Sequence, residues 1–514
     1  MSQETNGNAA AYFVDRHVAE GRRAKAAFVE AGGDRSLSYG DFADKSDRMA
    51  ELFTRHGLVR EDRVAMLVLD VVEFPIIFWG SLKAGVIPIP LNTLLTTDGY
   101  KYIFSDSRAK ALFISPPLLP LVEPILHELP DLRHVFVVGG TGDRHLDFGA
   151  ELEASGPRNL VTLSPDETAF WLYSSGSTGM PKGVCHVHGS LRATADTYAS
   201  NVLGITERDT AFSAAKLFFA YGLGNGMTFP LSVGATTALL PGRPTPEAVL
   251  EVFSEVGPTI FFGVPTLYAS LLAAMDGTRP KGADRLRLCV SAGEALPKDV
   301  GQQWRDLLGV DVLDGVGSTE MLHIFLSNAP EDVAYGTSGR AVPGYEVRLI
   351  DEEGQPVPDG EIGELLVKGA SAANCYWNQR HKSRATFEGV WTRTGDKYYR
   401  SEDGHYIFCG RTDDMLKVSG IWVSPFEVEQ ALVSHPAVLE AAVVGQADEN
   451  DLVKPKAFVV LKGDRDGATL DAELKEHVKA AIGNWKYPRW IEFVDELPKT
   501  GTGKIQRFKL RGPT

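Results

Sequence analysis

A polar loop around Lys182 carries the residues best suited to chemistry. In WLYSSGSTGMPKG, residues 171–183, hydroxyl residues and glycines surround one lysine directly after an apolar run. Backbone N–H groups and hydroxyls in such a loop can wrap around an anion, usually a phosphate. The spacing does not fit the common phosphate loop, so we expect phosphate chemistry of another kind. The candidate ligands are Ser174, Ser175, Gly176, Ser177, Thr178 and Lys182.

Five more polar segments interrupt the apolar parts of the chain. Each of them alone is typical of an ordinary turn or a solvent-exposed loop. The segments are SAGEALP (291–297), DGVGSTE (314–320), WTRTGD (391–396), GRTDDMLKVSG (410–420) and LPKTGTGK (497–504).

Taken together, in this order and spacing, the six segments resemble one family, the adenylate-forming enzymes. This family includes acyl-CoA synthetases, the adenylation domains of peptide synthetases and firefly-type luciferases, and the resemblance runs from about Ser36 to Arg511. It implies that ATP converts a carboxylate into an acyl-adenylate with release of pyrophosphate. A thiol, here expected to be that of CoA, then displaces AMP.

The resemblance also implies roles in binding ATP. The loop from Ser174 to Lys182 is expected to hold the β- and γ-phosphates, and Glu320 to bind Mg²⁺, a cation that favours carboxylate and phosphate oxygens. Val316 stands where the family commonly has an aromatic residue, so we expect weaker stacking on adenine. The other implied contacts are Glu294, Ala295 and Asp314 at adenine, Thr319 at the α-phosphate, Asp396 at the ribose, and Arg411 at the ribose or phosphates.

The C-terminal part is expected to move between the two half-reactions. Domains of 1–412 and 413–514 are predicted, with Asp413 as the hinge and Lys504 as the catalytic lysine that stabilises charge on the α-phosphate. After rotation, Gly420 is expected to line the tunnel for the pantetheine arm of CoA. Ile421 and Trp422 replace a His-Arg pair of some family members, which leaves the contacts to the CoA phosphates open.

The acid that is activated is indicated by the segments KLFFAYGLGN and GSTEMLHIF, with PLNTLLTTDGY nearer the N-terminus. They look like the benzoate–CoA ligase branch, which implies a short, flat slot for an aryl ring. His323 is expected to be a wall of the slot or a contact to a ring substituent rather than a base. Which ring substituents are accepted stays open. The expected slot residues are Phe219, Ala220, Tyr221, Gly222, Gly317, His323 and Ile324.

Three alternatives remain beside an aryl-CoA ligase. An adenylation enzyme that loads an aryl acid onto a carrier protein shares the chemistry, although no carrier domain follows Thr514. A nucleotide-binding regulator without catalysis is a different class of protein. Oxygen-dependent luminescence is the third alternative and would need a luciferin-like substrate. Cys185, His186 and His188 suggest a metal site, but a pair of histidines without clear further ligands is weak evidence.

These segments must be positioned by a mainly α/β fold. Strands such as RVAMLVL and helices such as EFPIIFWGSLKAG alternate through the N-terminal part, which predicts βαβ units. From about Glu346, short alternating strands indicate an antiparallel barrel or meander. Local signals predict helix ends, with Ser38 and Ser424 as N-terminal caps and Gly85 as the residue at which EFPIIFWGSLKAG stops. One face of a further helix is predicted to consist of Leu470, Leu474, Val478 and Ile482. The fold class is therefore α/β: a large N-terminal region of parallel α/β sheets with a small β-barrel-like part, and a small mobile α+β C-terminal domain.

Composition bounds the partners. The chain has 514 residues and a formal net charge of −15, which argues against general nucleic-acid binding. Its four scattered cysteines suit a reducing compartment, and no signal peptide or membrane span is evident, so a cytoplasmic location is expected. The expected partners are an aryl carboxylate, ATP and CoA, with no nucleic acid and no membrane, and a homodimer as one option.

Overall fold

The chain folds into two compact units in the computed structural model. The structure describes residues 6–140, 144–174, 180–412, 414–418, 421–449, 452–463, 467–483, 486–499 and 505–511. Within these ranges, no helix has the length and apolarity needed to cross a membrane. The first unit comprises Met1–Glu346 and Val367–Thr392, and the second comprises Val347–Leu366 and Arg393–Thr514. This division reflects how compactly each part of the chain packs. The domain boundary between residues 412 and 413 and the hinge at Asp413 stay predictions.

The larger sheet of the first unit carries several of the predicted site segments at strand ends. Its six central strands are parallel, and antiparallel strands flank them on both edges. In spatial order the strands are Arg340–Ala341, Ile324–Ser327, Val312–Gly317, Leu288–Ala292, Ile260–Gly263, Thr210–Ser213, Thr236–Leu239, Ala26–Glu30 and Ser36–Ser38.

A second sheet of the same unit is parallel throughout and confirms the predicted βαβ alternation. Its strands, in spatial order, are Ile87–Pro90, Arg63–Leu67, Ala111–Ile114, His134–Val137 and Leu146–Asp147. The helix Glu73–Ala84 connects two of them and ends at Gly85, whose φ of 71° is readily adopted only by glycine.

A small antiparallel sheet completes the strands of this unit and holds the loop around Lys182. It consists of Thr168–Ser174 and Lys182–Val187, with the short strand Cys375–Tyr376 on the far side of Lys182–Val187. The four cysteines of the chain are free thiols.

Helices cover the sheets of the first unit. The predicted cap at Ser38 is confirmed, because its side chain accepts a hydrogen bond from the N–H of Asp41 at the start of Tyr39–Arg55. The α-helices are Arg16–Ala19, Tyr39–Arg55, Glu73–Ala84, Thr97–Ser107, Leu119–Val122, Phe148–Glu153, His188–Thr194, Ala220–Leu223, Phe229–Val233, Pro246–Glu255, Pro265–Met275, Lys298–Leu308 and Arg380–Thr386. Wider π-helical turns are Ala11–Asp15, Ala195–Leu203 and Gly224–Thr228.

The short strands predicted from about Glu346 form a five-stranded sheet. Its members are Glu346–Ile350, Gly363–Lys368, Trp391–Arg400, Phe387–Glu388 and Tyr406–Arg411. The chain passes between the two compact units three times, within Glu346–Ile350, Gly363–Lys368 and Trp391–Arg400.

The C-terminal part has the predicted α+β composition. A hairpin, Leu416–Val418 with Ile421–Val423, precedes the helix Pro425–Val433, which Ser424 caps as predicted. Val438–Ala447, Val453–Leu461 and Trp490–Phe493 form its sheet, and the helix Gly467–Ile482 packs on it. On the predicted helical face, Leu470, Leu474 and Val478 are buried, and Ile482 is partly buried and packs against the same core.

Candidate active site

Lys182 and Glu320, predicted from separate segments to act on phosphate and metal, contact each other. Lys182 begins the strand Lys182–Val187, and Glu320 lies just after Val312–Gly317. The Lys182 Nζ lies 3.0 Å from the Glu320 Oε1, and their side chains are 19% and 16% exposed. A third residue, Tyr376, accepts a hydrogen bond from the Lys182 Nζ at 2.8 Å and donates one to the Glu320 Oε1 at 2.8 Å.

This cluster keeps Glu320 ionised although it is buried. Burial alone raises the pKa of a carboxyl group, but the charge of Lys182 and the hydrogen bonds from Tyr376 and Lys182 outweigh burial and lower the pKa of Glu320 below its ordinary value. The cluster therefore presents one carboxylate and one ammonium group, a combination that can bind a cation and an anion side by side.

Thr319 is held from the neighbouring sheet by His186. The His186 Nε2 lies 2.8 Å from the Thr319 carbonyl oxygen, and its ring stacks on Phe170 with 5.2 Å between the ring centroids. Burial lowers the pKa of His186 to about 4, so the neutral ring donates this hydrogen bond through its Nε2–H. No group of three His, Cys, Asp or Glu side chains suited to a metal ion occurs in the described ranges.

The phosphate loop is described only at its two ends. Ser174 lies opposite Lys182 in the antiparallel register. Its Oγ is buried and has no hydrogen-bond partner among the described residues. Of the predicted phosphate ligands, four lie outside the described residues: Ser175, Gly176, Ser177 and Thr178.

The two predicted adenine segments are tied together by Asp314. Its Oδ2 accepts a hydrogen bond from the N–H of Leu296 at 3.2 Å, which joins the loop after Leu288–Ala292 to the next strand. Burial raises the pKa of Asp314 to about 8. Of the other residues predicted here, Glu294 is exposed, and Ala295 and Val316 are half-buried.

The predicted aryl slot is assembled around His323. The His323 Nε2 lies 3.3 Å from the Tyr221 carbonyl oxygen and 3.1 Å from the Asn225 Oδ1. Its ring is surrounded by those of Tyr198, Tyr221 and Phe229, with centroids 5.4, 5.5 and 4.5 Å away. Burial lowers the pKa of His323 to about 3, so the side chain is a neutral wall. A Cβ on Gly224 would lie 2.4 Å from the His323 Cδ2, so glycine makes room for the ring.

Two glycines of the predicted slot also lie where a side chain does not fit. A Cβ on Gly222 would lie 2.0 Å from the Lys216 carbonyl oxygen, and one on Gly317 would lie 2.5 Å from the His323 carbonyl oxygen. Gly317 pairs with Ile324, which is buried. Small residues here thus allow the chain to fold back closely on itself.

The loop that begins the slot is fastened by Asp70. Its Oδ1 accepts a hydrogen bond from the N–H of Leu217 at 3.3 Å, and its Oδ2 lies 3.7 Å from the Lys216 Nζ. Phe219, half-buried, and Ala220 follow at the start of the short helix Ala220–Leu223.

In the second unit, Asp396, predicted to contact the ribose, forms an ion pair with Arg411, predicted to contact the ribose or the phosphates. Asp396 and Arg411 are register partners on adjacent antiparallel strands, and the Arg411 Nη1 lies 2.7 Å from the Asp396 Oδ1. Gly395, with a φ of 71°, leaves room for the guanidinium, since a Cβ there would lie 2.8 Å from the Arg411 Nη2. The residues predicted as hinge, CoA-tunnel wall and catalytic lysine, Asp413, Gly420 and Lys504, lie outside the described residues.

Sequence reasoning missed three residues that shape the site: Tyr376, Asn225 and Asp70. Tyr376 lies in ANCYWN and Asp70 ends LVLD, and neither segment has a polar cluster that would attract attention. Asn225 ends KLFFAYGLGN, the segment that indicates the aryl acid, but the predicted slot residues are only the aromatic and small neighbours of Asn225. Their contacts all join residues distant in sequence, which no local pattern reveals.

Comparisons with known proteins identify the family of this chain. The pattern that defines the AMP-binding enzymes matches residues 15–377, and that of the AMP-binding enzyme C-terminal domain matches residues 427–504. The 4-hydroxybenzoate–CoA/benzoate–CoA ligase of Rhodopseudomonas palustris is 54% identical over 511 residues, which cover 99% of this chain and 94% of that protein. The benzoate–CoA ligase of Thauera aromatica is 55% identical over 509 residues, 98% of this chain and 95% of that protein.

A solved structure gives the same result for the fold. The crystal structure of the anthranilate CoA ligase AuaEII in complex with anthranoyl-AMP is similar with a TM-score of 0.92 and 42% identity. The similarity covers 99% of this chain and 97% of that one. The resemblance seen in the sequence is thus confirmed, and this chain belongs to the AMP-binding, adenylate-forming enzymes.

Proposed function

We propose that this protein activates benzoate or a substituted benzoate with ATP and transfers the acyl group to CoA. It is an AMP-forming acid–thiol ligase, and its co-substrates are ATP, with Mg²⁺, and CoA. In the first step a carboxylate oxygen attacks the α-phosphorus, giving an acyl-adenylate and pyrophosphate. In the second step the CoA thiol attacks the acyl carbon and AMP leaves.

One observation carries the proposal. The cluster of Lys182, Glu320 and Tyr376, here called the phosphate cluster, and the aryl slot meet on one short turn. Glu320 contacts Lys182, and the third residue after it, His323, lies in the aromatic enclosure of Tyr221 and Phe229. An acid whose ring enters the slot would therefore keep its carboxylate near the groups expected at the phosphates. Proximity and orientation of this kind are a main source of catalysis.

The described residues fit a magnesium ion that is shared with nucleotide. Glu320 offers one ionised, buried carboxylate, and the described residues hold no cluster of three protein ligands that could form a complete metal cage. Mg²⁺ is commonly bound through one or two carboxylates, water and substrate phosphates. When bound, the ion would neutralise charge on the phosphates.

The remaining nucleotide roles belong to the proposal as well. Lys182 and the hydroxyls from Ser174 onward bind the β- and γ-phosphates, and release them as pyrophosphate departs. The unpartnered Ser174 Oγ supports this role. Thr319 contacts the α-phosphate, and its backbone is held by His186. In the second unit, the paired carboxylate of Asp396 accepts the ribose hydroxyls and Arg411 supports it.

The C-terminal domain, residues 413–514, supplies different groups to the two steps. Lys504 stabilises the charge that develops on the α-phosphate during adenylation. A rotation at Asp413 then replaces it by the segment around Gly420, where a missing side chain leaves space for the pantetheine arm. These roles rest on the family resemblance of the segments that contain them.

The slot selects aryl acids by shape and by excluding charge. His323 is neutral and its neighbours are aromatic, so the enclosure suits a planar ring and disfavours a second ionised group. The polar atoms Asn225 Nδ2 and His323 Nδ1 have no partners among the described residues. A hydrogen-bonding ring substituent is therefore compatible with the slot.

The activity is tested with a panel of aryl and aliphatic acids, scored by AMP formation with and without CoA. We expect benzoate or a ring-substituted benzoate to give AMP at a rate that rises when CoA is present, and aliphatic acids to give little. Pyrophosphate–ATP exchange that depends on the acid reports the first step. Acylation of a phosphopantetheinyl carrier protein in preference to CoA would favour the carrier-loading alternative, and the absence of exchange with every acid would refute the proposal.

The moving domain is tested separately with Lys504→Ala. We expect acid-dependent exchange to fall by about 10²–10³-fold, as when one preorganised charge-stabilising group is removed, while CoA still reacts with supplied acyl-AMP. Equal loss of both half-reactions would contradict the rotation.

The proposal also includes a cytoplasmic location, no nucleic-acid or membrane partners, and a homodimer as one option. Light scattering after size-exclusion chromatography tests the oligomeric state.

A further inference from the structure

The hydroxyl of Tyr376 hydrogen-bonds to both charged members of the phosphate cluster, Lys182 and Glu320. It accepts from the Lys182 Nζ and donates to the Glu320 Oε1, each at 2.8 Å. The Lys182 Nζ also lies 4.0 Å from the centroid of the Tyr376 ring. A tyrosine that only filled space would need no polar contacts on both sides.

The strand that carries Tyr376 is fastened to the elements that carry its two partners. Tyr376 pairs with Val184 of the strand Lys182–Val187, and Tyr376 is 3% exposed. The same segment reaches Glu320, because the N–H of Ala373 donates to the Glu320 carbonyl oxygen at 2.7 Å. Lys182 and Glu320 are therefore brought together from two sheets through one segment.

A shared hydroxyl answers a physical difficulty in this cluster. Lys182 and Glu320 form a direct ion pair, yet each must turn to a phosphate or a metal ion when nucleotide binds. Breaking a largely buried ion pair is costly if either charge is left without a partner. A phenol that accepts from one group and donates to the other lets both keep a hydrogen bond as the direct contact loosens.

We infer that Tyr376 is a positioning residue for metal–nucleotide binding, acting through Lys182 and Glu320 in the adenylation step only. The inference rests on the proposed roles of these two residues in that step. Groups that orient metal ligands typically account for about 10–100-fold in metal affinity or activity.

The test compares Tyr376→Phe with the full-length wild-type protein. The ring remains for packing against Phe387 and for the contact with Lys182, while the hydroxyl is lost. Calorimetry measures ATP affinity with Mg²⁺ and with a chelator, in the absence of acid. We expect the gain in affinity due to Mg²⁺ to fall about tenfold or more, exchange to fall about 10–100-fold, and thiolation of supplied benzoyl-AMP to stay within about twofold.

Tyr335→Phe is the matched control. The Tyr335 hydroxyl also donates to a carboxylate, the Asp311 Oδ1 at 2.7 Å, and that carboxylate also pairs with a cation, Arg305. We expect this variant to change none of the three measurements beyond about twofold, since neither Asp311 nor Arg305 is placed in the site. If Tyr335→Phe had the same effect as Tyr376→Phe, the result would follow from removing any such tyrosine hydroxyl, and the inference would be overturned.

Glu320→Gln separates this inference from the proposed function. If Glu320→Gln abolishes the effect of Mg²⁺ and Tyr376→Phe does not weaken it, only the inference fails. If Glu320→Gln leaves the effect of Mg²⁺ intact, the proposed metal role itself fails. In the Glu320→Gln background, we expect Tyr376→Phe to have little further effect on ATP affinity. Loss of thiolation by Tyr376→Phe would show a structural role and also overturn the inference.

Discussion

The phosphate cluster of Lys182, Glu320 and Tyr376 and the aromatic enclosure of His323, which we propose as the aryl slot, bury ionisable groups in opposite ways. In the cluster, Glu320 remains charged because Lys182 and Tyr376 compensate it, and its pKa is lowered. In the proposed slot, His323 has no charged partner among the described residues, and burial lowers its pKa to about 3, so it is neutral. Only three positions of sequence separate the two residues. The comparison shows that local partners, rather than depth of burial, decide whether a buried group in this protein carries charge.

Removal of Lys182 should break the first half of this comparison most severely. In Lys182→Ala, Glu320 loses the charge that compensates it and the phosphates lose a cation. We expect pyrophosphate–ATP exchange to fall about 10²–10³-fold. Lys101→Ala, which removes an exposed ion pair with Glu128, is the control and should be neutral. Exchange within a few-fold of wild type would show that the charge pair is dispensable.

Gly224→Ala tests how tightly the slot is packed around its neutral histidine. The new Cβ would lie 2.4 Å from the His323 Cδ2, so the ring must move among its aromatic neighbours. We expect about 1–3 kcal/mol of lost stability and a KM for the aryl acid raised about tenfold, with the KM for ATP changed less. Gly99→Ala is the matched control, because its Cβ would meet only ordinary contacts from 3.5 Å outward. An unchanged KM for the acid would place the ring outside the slot.

His323 should make the protein sensitive to acid. Its folded-state pKa of about 3 lies below the ordinary value of 6.5, so its contribution to stability is complete above pH 6.5 and is lost as the pH falls toward 3. The slope is at most about 1.4 kcal/mol per pH unit. In His323→Gln, denaturant unfolding should show a shallower decline within this window. An identical decline would indicate that the histidine is charged in the folded protein.

Asp314 sharpens the comparison because its linkage has the opposite sign. Burial raises its pKa to about 8, so stability from this group is present below the ordinary value of 3.8 and is lost as the pH rises through 8. The nearly isosteric Asp314→Asn keeps an oxygen for the N–H of Leu296. We expect the variant to unfold with a flatter pH dependence between about 4 and 8 and to gain stability at pH 8. Lower stability at every pH would show that the carboxylate is compensated.

The smallest expected effect concerns Val316, on the strand that leads to both regions. An aromatic side chain at this half-buried position should stack on adenine, and such contacts are worth about 0.5–1.5 kcal/mol. We expect Val316→Tyr to lower the KM for ATP about three- to tenfold and to leave the KM for the acid unchanged. A higher KM for ATP with an unchanged melting temperature would contradict the proposed position of the base.

Much of the fold could be predicted because its signals are local. The cap at Ser38, the stop at Gly85 and the capped helix after Ser424 each depend on a few adjacent residues, and all three are confirmed. The resemblance to adenylate-forming enzymes likewise rests on short motifs and is confirmed by the family match. The roles of Lys504, Asp413 and Gly420 stay predictions.

The alternation of helices and strands, the family and the class of reaction could all be predicted from the sequence, because each depends on short motifs and periodic patterns. The tertiary structure alone decided how buried groups are paired: Tyr376 between Lys182 and Glu320, Asn225 beside His323, and Asp70 at the slot loop. The physical reason is that a side chain's charge depends on the partners that surround it, and these come from distant parts of the chain.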